Sequence, residues 1–273
     1  MSKHTETRRV TVPSIRALKG REKIVCLTAY TAPIAALLDP HVDLLLVGDS
    51  VGMVVHGLST TTAVTLEMMI LHGQAVMRGA HHALVVVDLP FGTYERSCEQ
   101  AHESAVRVMK ETGCQAVKVE AGEALAGTIA YLVERGIPVM GHVGLRPQAV
   151  HVDGGFKAKG RSAQERDRVM ADARAADQAG AFAIVLEGVA AGLAEEITRS
   201  VGAPTIGIGA ASACDGQILV TDDMLGVFEW TPKFVRRYAD LHTAISQAAS
   251  GYARDVRAGT FPGEAETYRF KQA

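Results

Sequence analysis

No apolar run in this sequence approaches the ~18 residues needed to cross a bilayer. The first dozen residues are polar and Arg-containing where a secretory leader would be apolar. Charge of one sign is not in excess either: 28 Lys and Arg face 30 Asp and Glu, for a formal net charge of -2. Such a chain offers no dense positive field to nucleic acid or to an anionic membrane surface. Cysteine is sparse, and Cys26, Cys98, Cys114 and Cys214 have no paired spacing. That pattern argues against a metal cage or a redox pair and reads as free thiols in a reducing compartment. Aromatics make up 5% with a single Trp, and there is no low-complexity segment. These absences together predict a cytoplasmic protein that handles small molecules, without nucleic-acid or membrane partners.

What the 273 residues do contain is apolar substance, 48% of the chain, with 27 glycines, enough for one large α/β domain or two small ones. The organising stretch is Leu-Leu-Leu-Val-Gly-Asp-Ser at 44–50, an apolar run that stops on a carboxylate and a hydroxyl. A run without alternation is a strand buried on both faces, as in a parallel sheet covered by helices. Similar strands are expected at 24–30, 43–49, 83–88, 116–120, 138–142, 183–187, 204–209 and 217–221. Helical stretches lie between them, including one begun by Thr65 with Glu67 in its first turn, one at 98–111 stopped by Gly113, and one at 163–179. Eight strands alternating with helices and no linker predict a single-domain α/β fold, a closed (β/α)8 TIM barrel. Residues 1–23 form an N-terminal extension, with a short helix capped by Ser14 that closes one end. Residues 24–225 form the barrel, and 226–273 a helical addition with two candidate segments split near Gly251, one of them available to a neighbouring subunit. The unit between Gly209 and Gln217 has room for one helical turn at most.

The strand ends carry the chemistry: Asp49 and Ser50 after strand two, Asp88 after three, Lys118 and Glu120 on four, His142 on five and Glu187 on six. A barrel keeps its active site at that face. Each residue also has a bland reading. Asp49 or Ser50 is a plausible helix cap, Asp88 a turn residue, Lys118 and Glu120 an internal ion pair, and His142 a structural hydrogen-bonding group. Glu187, after four apolar residues, resists this treatment, because a buried acid needs a partner. Four carboxylates at one mouth repel each other unless protons or a cation hold them. Oxygen donors without a Cys or His cluster point to a hard divalent ion, magnesium, and Lys118 supplies positive charge for an anionic substrate or an oxyanion.

Val-Gly-Asp-Ser (47–50), Val-Asp-Leu-Pro-Phe (87–91), Val-Lys-Val-Glu (117–120), Gly-His-Val-Gly-Leu-Arg-Pro-Gln (141–148), Val-Leu-Glu (185–187), Ile-Gly-Ile-Gly-Ala (206–210) and Cys-Asp-Gly-Gln-Ile-Leu-Val (214–220) resemble the ketopantoate hydroxymethyltransferase family, in order from about residue 11 to residue 263. The resemblance implies a (β/α)8 barrel with one Mg2+ per subunit held through Asp49, Asp88 and Glu120. It implies an oxo acid, 3-methyl-2-oxobutanoate, contacted by Asp49, Ser50, Asp88 and Lys118, with Glu187 as the catalytic base and His142 as an accessory group. The implied co-substrate is 5,10-methylenetetrahydrofolate, the product 2-dehydropantoate on the route to pantothenate, the intermediate a magnesium-stabilised enolate, and the assembly a homo-oligomer, a decamer. Thr31 stands where the family usually has Asp, and Ala211 where Gly is frequent; both bear on loop geometry. The Gly-rich stretch 144–161, with Lys157, Lys159 and Arg161, is a candidate lid or contact for the glutamate tail of folate, with a solvated surface loop as the bland reading. The rivals are a lyase or mutase on a similar magnesium barrel, and a non-enzymatic barrel that only binds a metal or a partner.

Overall fold

In the computed structural model, which describes residues 9–268, eight parallel strands close into a barrel in sequence order, β8 pairing back onto β1. They are β1 (Ile24–Thr28), β2 (Leu44–Val47), β3 (Leu84–Asp88), β4 (Ala116–Glu120), β5 (Val139–Gly144), β6 (Ala183–Glu187), β7 (Thr205–Ile208) and β8 (Gly216–Leu219). The helices are α1 (Val12–Ala17), α2 (Ala32–Leu38), α3 (Val51–Val54), α4 (Leu66–Gly79), α5 (Cys98–Thr112), α6 (Ala126–Glu134), α7 (Val150–Asp153), α8 (Ala163–Gln178), α9 (Ala191–Ser200), α10 (Thr221–Met224) and α11 (Leu241–Arg257). Local chemistry sets their starts. Thr65, Ser97 and Ser162 each accept the backbone N–H three residues on, and Gly113 ends α5 in the left-handed region at φ 80°. A side-chain cap of this kind stabilises a helix by about 1 kcal/mol.

Strand side chains alternate between two cores. Leu45, Val47, Val85, Val87, Val117 and Val119 cluster with helix residues such as Met69, Val76 and Val108, and so face outward under the helices. Leu44, Leu46, Leu84, Val86, Ala116, Met140, Ala183 and Val185 form the second cluster, which fills the barrel itself. Ile15 of α1 belongs to that inner cluster, fully buried, with Val10, Val12 and Leu18 packed beside it. The extension thus closes one end of the barrel, as expected. Its cap is Thr11 and not Ser14: Thr11 Oγ1 accepts from Ser14 N–H, and Ser14 Oγ accepts from Thr11 N–H at 2.8 Å.

Two further readings need correction. The stretch 144–161 is not one loop; it holds a 3-10 turn at Pro147–Ala149 and then α7, stopped by Gly154 at φ 66°. Elements this short have too few turns to show a helical period in sequence. The C-terminal helix is also continuous through Gly251, because one glycine inside a helix costs only about 1 kcal/mol. The described residues fall into two compact units, one ending at Thr221 and one beginning at Asp222. In the second, Asp240 caps α11 by accepting from Thr243 N–H. The β7–β8 connection contains no helix, as its length requires. None of the described helices is long and apolar enough to cross a membrane, and all four cysteines are unpaired.

Candidate active site

In β3 to β6 the inward parity continues past the apolar residues into the charged ones. Asp88 follows Leu84 and Val86, Lys118 and Glu120 follow Ala116, His142 follows Met140, and Glu187 follows Ala183 and Val185. The register sets these residues side by side: Asp88 pairs with Lys118, Glu120 with His142, and Gly144 with Glu187. Asp49 lies just beyond the end of β2, and its backbone N–H donates to Asp88 Oδ2 at 2.9 Å. The sequence-derived residues are therefore brought together at one mouth. Asp49, Asp88, Lys118, Glu120 and His142 are each at most 7% exposed.

Several of these residues have partners other than those the bland readings name. Ser50 precedes α3 without a side-chain capping bond, and its hydroxyl instead meets the Tyr30 hydroxyl at 2.8 Å. The Asp49 carboxylate accepts from the Gln148 amide at 2.8 Å. Lys118 Nζ sits 3.0 Å from Asp88 Oδ1 across the strand pair, so its partner is not Glu120. His142 Nε2 stands 3.2 Å from Glu187 Oε2, an approach that is not aligned as a hydrogen bond. Two residues that carried no sequence signal of their own complete the site. Gln148 N–H donates to Glu120 Oε1 at 2.9 Å, and the Tyr94 hydroxyl touches both Gln148 Oε1 and Glu120 N. Gln148 at least closes one of the quoted motifs; Tyr94 lies outside all of them.

Burial raises the pKa of all three neighbouring carboxylates. Asp88 is pushed up to about 7 and Glu120 to about 8, each by burial first, with the negative charge of Asp49 adding to it. Asp49 is raised by burial, with Glu187 adding to it and Lys118 opposing. Burial pulls the Lys118 ammonium down, but Asp88, Asp49 and Glu120 more than reverse this. His142 is held below its usual value by burial and then by Lys118. The consequence for stability has a definite sign. Carboxyls whose folded pKa is raised bind protons in the folded state that the unfolded chain has released, so their contribution is complete below about pH 4 and is lost as pH rises through 7 to 8. Calorimetry in chelator is therefore expected to show the melting temperature falling between about pH 5 and pH 9, and Asp88→Asn is expected to flatten that fall.

Among the described residues, four buried side-chain polar atoms lack an aligned hydrogen-bond partner: Thr61 Oγ1, Asp88 Oδ1 and both ring nitrogens of His142. Three of the four lie in this site, a concentration that marks a place built for a ligand. No three carboxylate, imidazole or thiolate groups among the described residues form a ready metal cage. Asp49, Asp88 and Glu120, buried near one another and raised in pKa, fit a hard cation that takes one or two carboxylates and fills its shell with water and substrate. The two departures in the loops are local. Thr31 precedes α2 without a capping bond from its side chain. Ala211 is buried, and its carbonyl accepts from the Gln217 amide at 2.9 Å.

Comparison with known proteins agrees with this geometry. The profile of the family described as ketopantoate hydroxymethyltransferase matches residues 9–264. A 3-methyl-2-oxobutanoate hydroxymethyltransferase of Hyphomonas neptunium is 68% identical, covering all of this chain and 99% of its own. One of Phenylobacterium zucineum is 67% identical over 98% of both chains. Among solved structures, 2,3-dimethylmalate lyase, a PEP mutase/isocitrate lyase superfamily member, superposes with a TM-score of 0.60 at 16% identity, over 96% of this chain and 93% of its own. That last likeness is one of fold. With its motifs at the strand ends and its full length shared with such relatives, the chain belongs to the ketopantoate hydroxymethyltransferase family.

Proposed function

We propose that this chain transfers a hydroxymethyl group to C3 of 3-methyl-2-oxobutanoate. 5,10-Methylenetetrahydrofolate donates the methylene carbon and water the hydroxyl oxygen, leaving tetrahydrofolate and 2-dehydropantoate, a precursor of pantothenate. The observation that carries this reading is the gathering of buried ionisable groups at the barrel mouth, Asp88 against Lys118 at 3.0 Å and His142 beside Glu187 at 3.2 Å, with both His142 ring nitrogens lacking an aligned hydrogen bond. One Mg2+ per subunit fits Asp49 and Asp88, with Glu120 beside them; when bound, it polarises the ketone of the oxo acid and acidifies the C3 hydrogen. The protein's own groups do the rest. Lys118 meets the negative charge of the acid and of the enolate that follows proton loss. Ser50, steadied by Tyr30, offers a hydroxyl to the same acid. Glu187 takes the C3 proton, with the His142 ring 3.2 Å from its carboxylate as an accessory group. Burial of the surrounding groups keeps bulk water from quenching the carbanion. Incubation with both substrates and Mg2+ is expected to yield 2-dehydropantoate by mass spectrometry, and none in chelator. Cleavage of an oxo acid without transfer would instead favour lyase chemistry.

A cavity of about 320 Å³ opens beside Gly188, lined by Lys159, Arg161 and the start of α9, with no acid among its lining residues. It supports an anionic part of the folate, its glutamate tail, as occupant; Lys157 does not line it. Lys159 is steadied by Asp153 at 2.9 Å. Lys159→Ala together with Arg161→Ala is expected to raise the KM for the folate by roughly 2- to 20-fold with kcat nearly unchanged, given the ~0.2–1 kcal/mol typical of part-exposed charges. An unchanged KM removes the tail from this cavity. The reading extends to a cytoplasmic homo-oligomer, a decamer. Four free thiols agree with a reducing compartment, and exposed Leu37, Leu71 and Val152 leave apolar surface for subunit contacts.

A further inference from the structure

Gln148 carries no charge, yet several groups of the site converge on it. The Tyr94 hydroxyl accepts from Glu120 N–H at 3.2 Å, so its own proton is the one that bridges the 2.6 Å to Gln148 Oε1. That assignment fixes which way the amide faces. Its oxygen is turned to Tyr94, and its two N–H protons go to Asp49 Oδ2 at 2.8 Å and to the Leu89 carbonyl at 3.1 Å. The backbone N–H of Gln148 donates meanwhile to Glu120 Oε1 at 2.9 Å. With Gln148 at 8% exposure and Tyr94 at 1%, water cannot substitute for these contacts.

We infer that Gln148, oriented by Tyr94, is a positioning residue that engages one oxygen each of Asp49 and Glu120 and so selects the oxygens left free for the cation and the oxo acid. This rests on the proposed role of those carboxylates. These contacts reach Gln148, in the 3-10 turn after β5, from three separate segments: Asp49 just past β2, Leu89 and Tyr94 after β3, and Glu120 at the end of β4. One residue, through its side-chain amide on Asp49 and its backbone N–H on Glu120, thus bears on the relative placement of two acids from different strands. A residue that merely anchored a loop would be satisfied by Tyr94 and Leu89 and would have no need of Asp49.

Isothermal titration of the intact protein with Mg2+ alone tests this. Gln148→Leu, similar in volume, is expected to bind Mg2+ about 10- to 100-fold more weakly, the usual effect of losing a group that orients a ligand. Gln148→Glu, nearly isosteric, is expected to lose at least as much, because an acceptor then faces Asp49. Tyr94→Phe removes only the hydroxyl and is expected to lose about fivefold, the worth of one hydrogen bond; it decides the matter if Gln148→Leu does not fold. Wild-type affinity in folded Gln148→Leu and in Tyr94→Phe overturns the inference. If the wild type itself does not bind Mg2+, the metal reading of the carboxylates falls, and titration with 3-methyl-2-oxobutanoate in chelator decides: a similar loss in Gln148→Leu sustains the positioning role, and unchanged affinity overturns it. A wild type that binds neither probe overturns both.

Discussion

Glu187→Gln is expected to slow the exchange of the C3 proton of 3-methyl-2-oxobutanoate with deuterated water by about 10²- to 10⁴-fold, with metal present and folate absent. Omitting the folate isolates proton removal from carbon–carbon bond formation. Glu187 is the acid at the mouth whose side chain retains some exposure, 20%, whereas the Asp49, Asp88 and Glu120 carboxylates are nearly closed off. His142 Nε2 is the nitrogen that stands beside its carboxylate, at 3.2 Å. The backbone holds it in place: Leu145 N–H donates to the Glu187 carbonyl at 2.8 Å. That approach requires Gly144, which sits at φ 97° where a Cβ would come within 2.4 Å of the Glu187 carbonyl oxygen. Gln keeps the shape of Glu and removes only the proton acceptor, so the fold is retained. Exchange at the wild-type rate would falsify the assignment of Glu187 as base.

Asp49→Ala is expected to bring metal-dependent turnover down by at least the ~10²- to 10³-fold that follows loss of one preorganised electrostatic group, while the barrel stays folded. Its carboxylate gives the fold little. The bond between Asp49 N–H and Asp88 is made by the backbone and survives truncation. Gln148 keeps its contacts with Leu89 and Tyr94. What leaves is a buried acid whose negative charge raises the pKa of both Asp88 and Glu120, so the metal-free melting temperature at about pH 8 should hold or rise, a trade of function against stability common at active sites. Turnover and melting are measured on the same preparation. Undiminished turnover would remove Asp49 from the site, and a collapsed melting transition would make its role structural.

The strand ends were legible because Asp88, Lys118, Glu120, His142 and Glu187 each stand in an apolar run at the parity that points inward, whereas Asp49 lies just past β2 at the other parity. β4 and β6 fall at 116–120 and 183–187, as the sequence alone predicts, since both runs begin after a turn and stop at a glutamate. Period-two alternation then places Lys118 with Glu120 inside the barrel without any structure. Gln148 and Tyr94 were not legible as site residues. Their meaning arises from contacts 99 and 54 positions apart, between Gln148 and Asp49 and between Tyr94 and Gln148. A neutral amide and a phenol in loops break no pattern that a sequence reading can detect. α7 is likewise a single helical turn whose ends are set by Gly154 and by the turn before it, not by a repeating apolar face. The α11 helix hid behind Gly251, where local propensity argued for a break that the remaining sixteen residues of the helix outweigh.

Ile15, seated among the inner residues at the far end from the charged mouth, gives the barrel a floor. With the barrel interior packed and that end closed, the mouth is left as the way in and out, and a single way in and out imposes an order on its traffic. Whatever lies deepest has to arrive first and depart last. If the oxo acid is held against Lys118 and Asp88 and the folate arrives above it, spent folate leaves ahead of the newly lengthened acid. That acid and a fresh 3-methyl-2-oxobutanoate then contend for the same seat, and the protein would feel accumulation of its own product as a shortage of the smaller substrate.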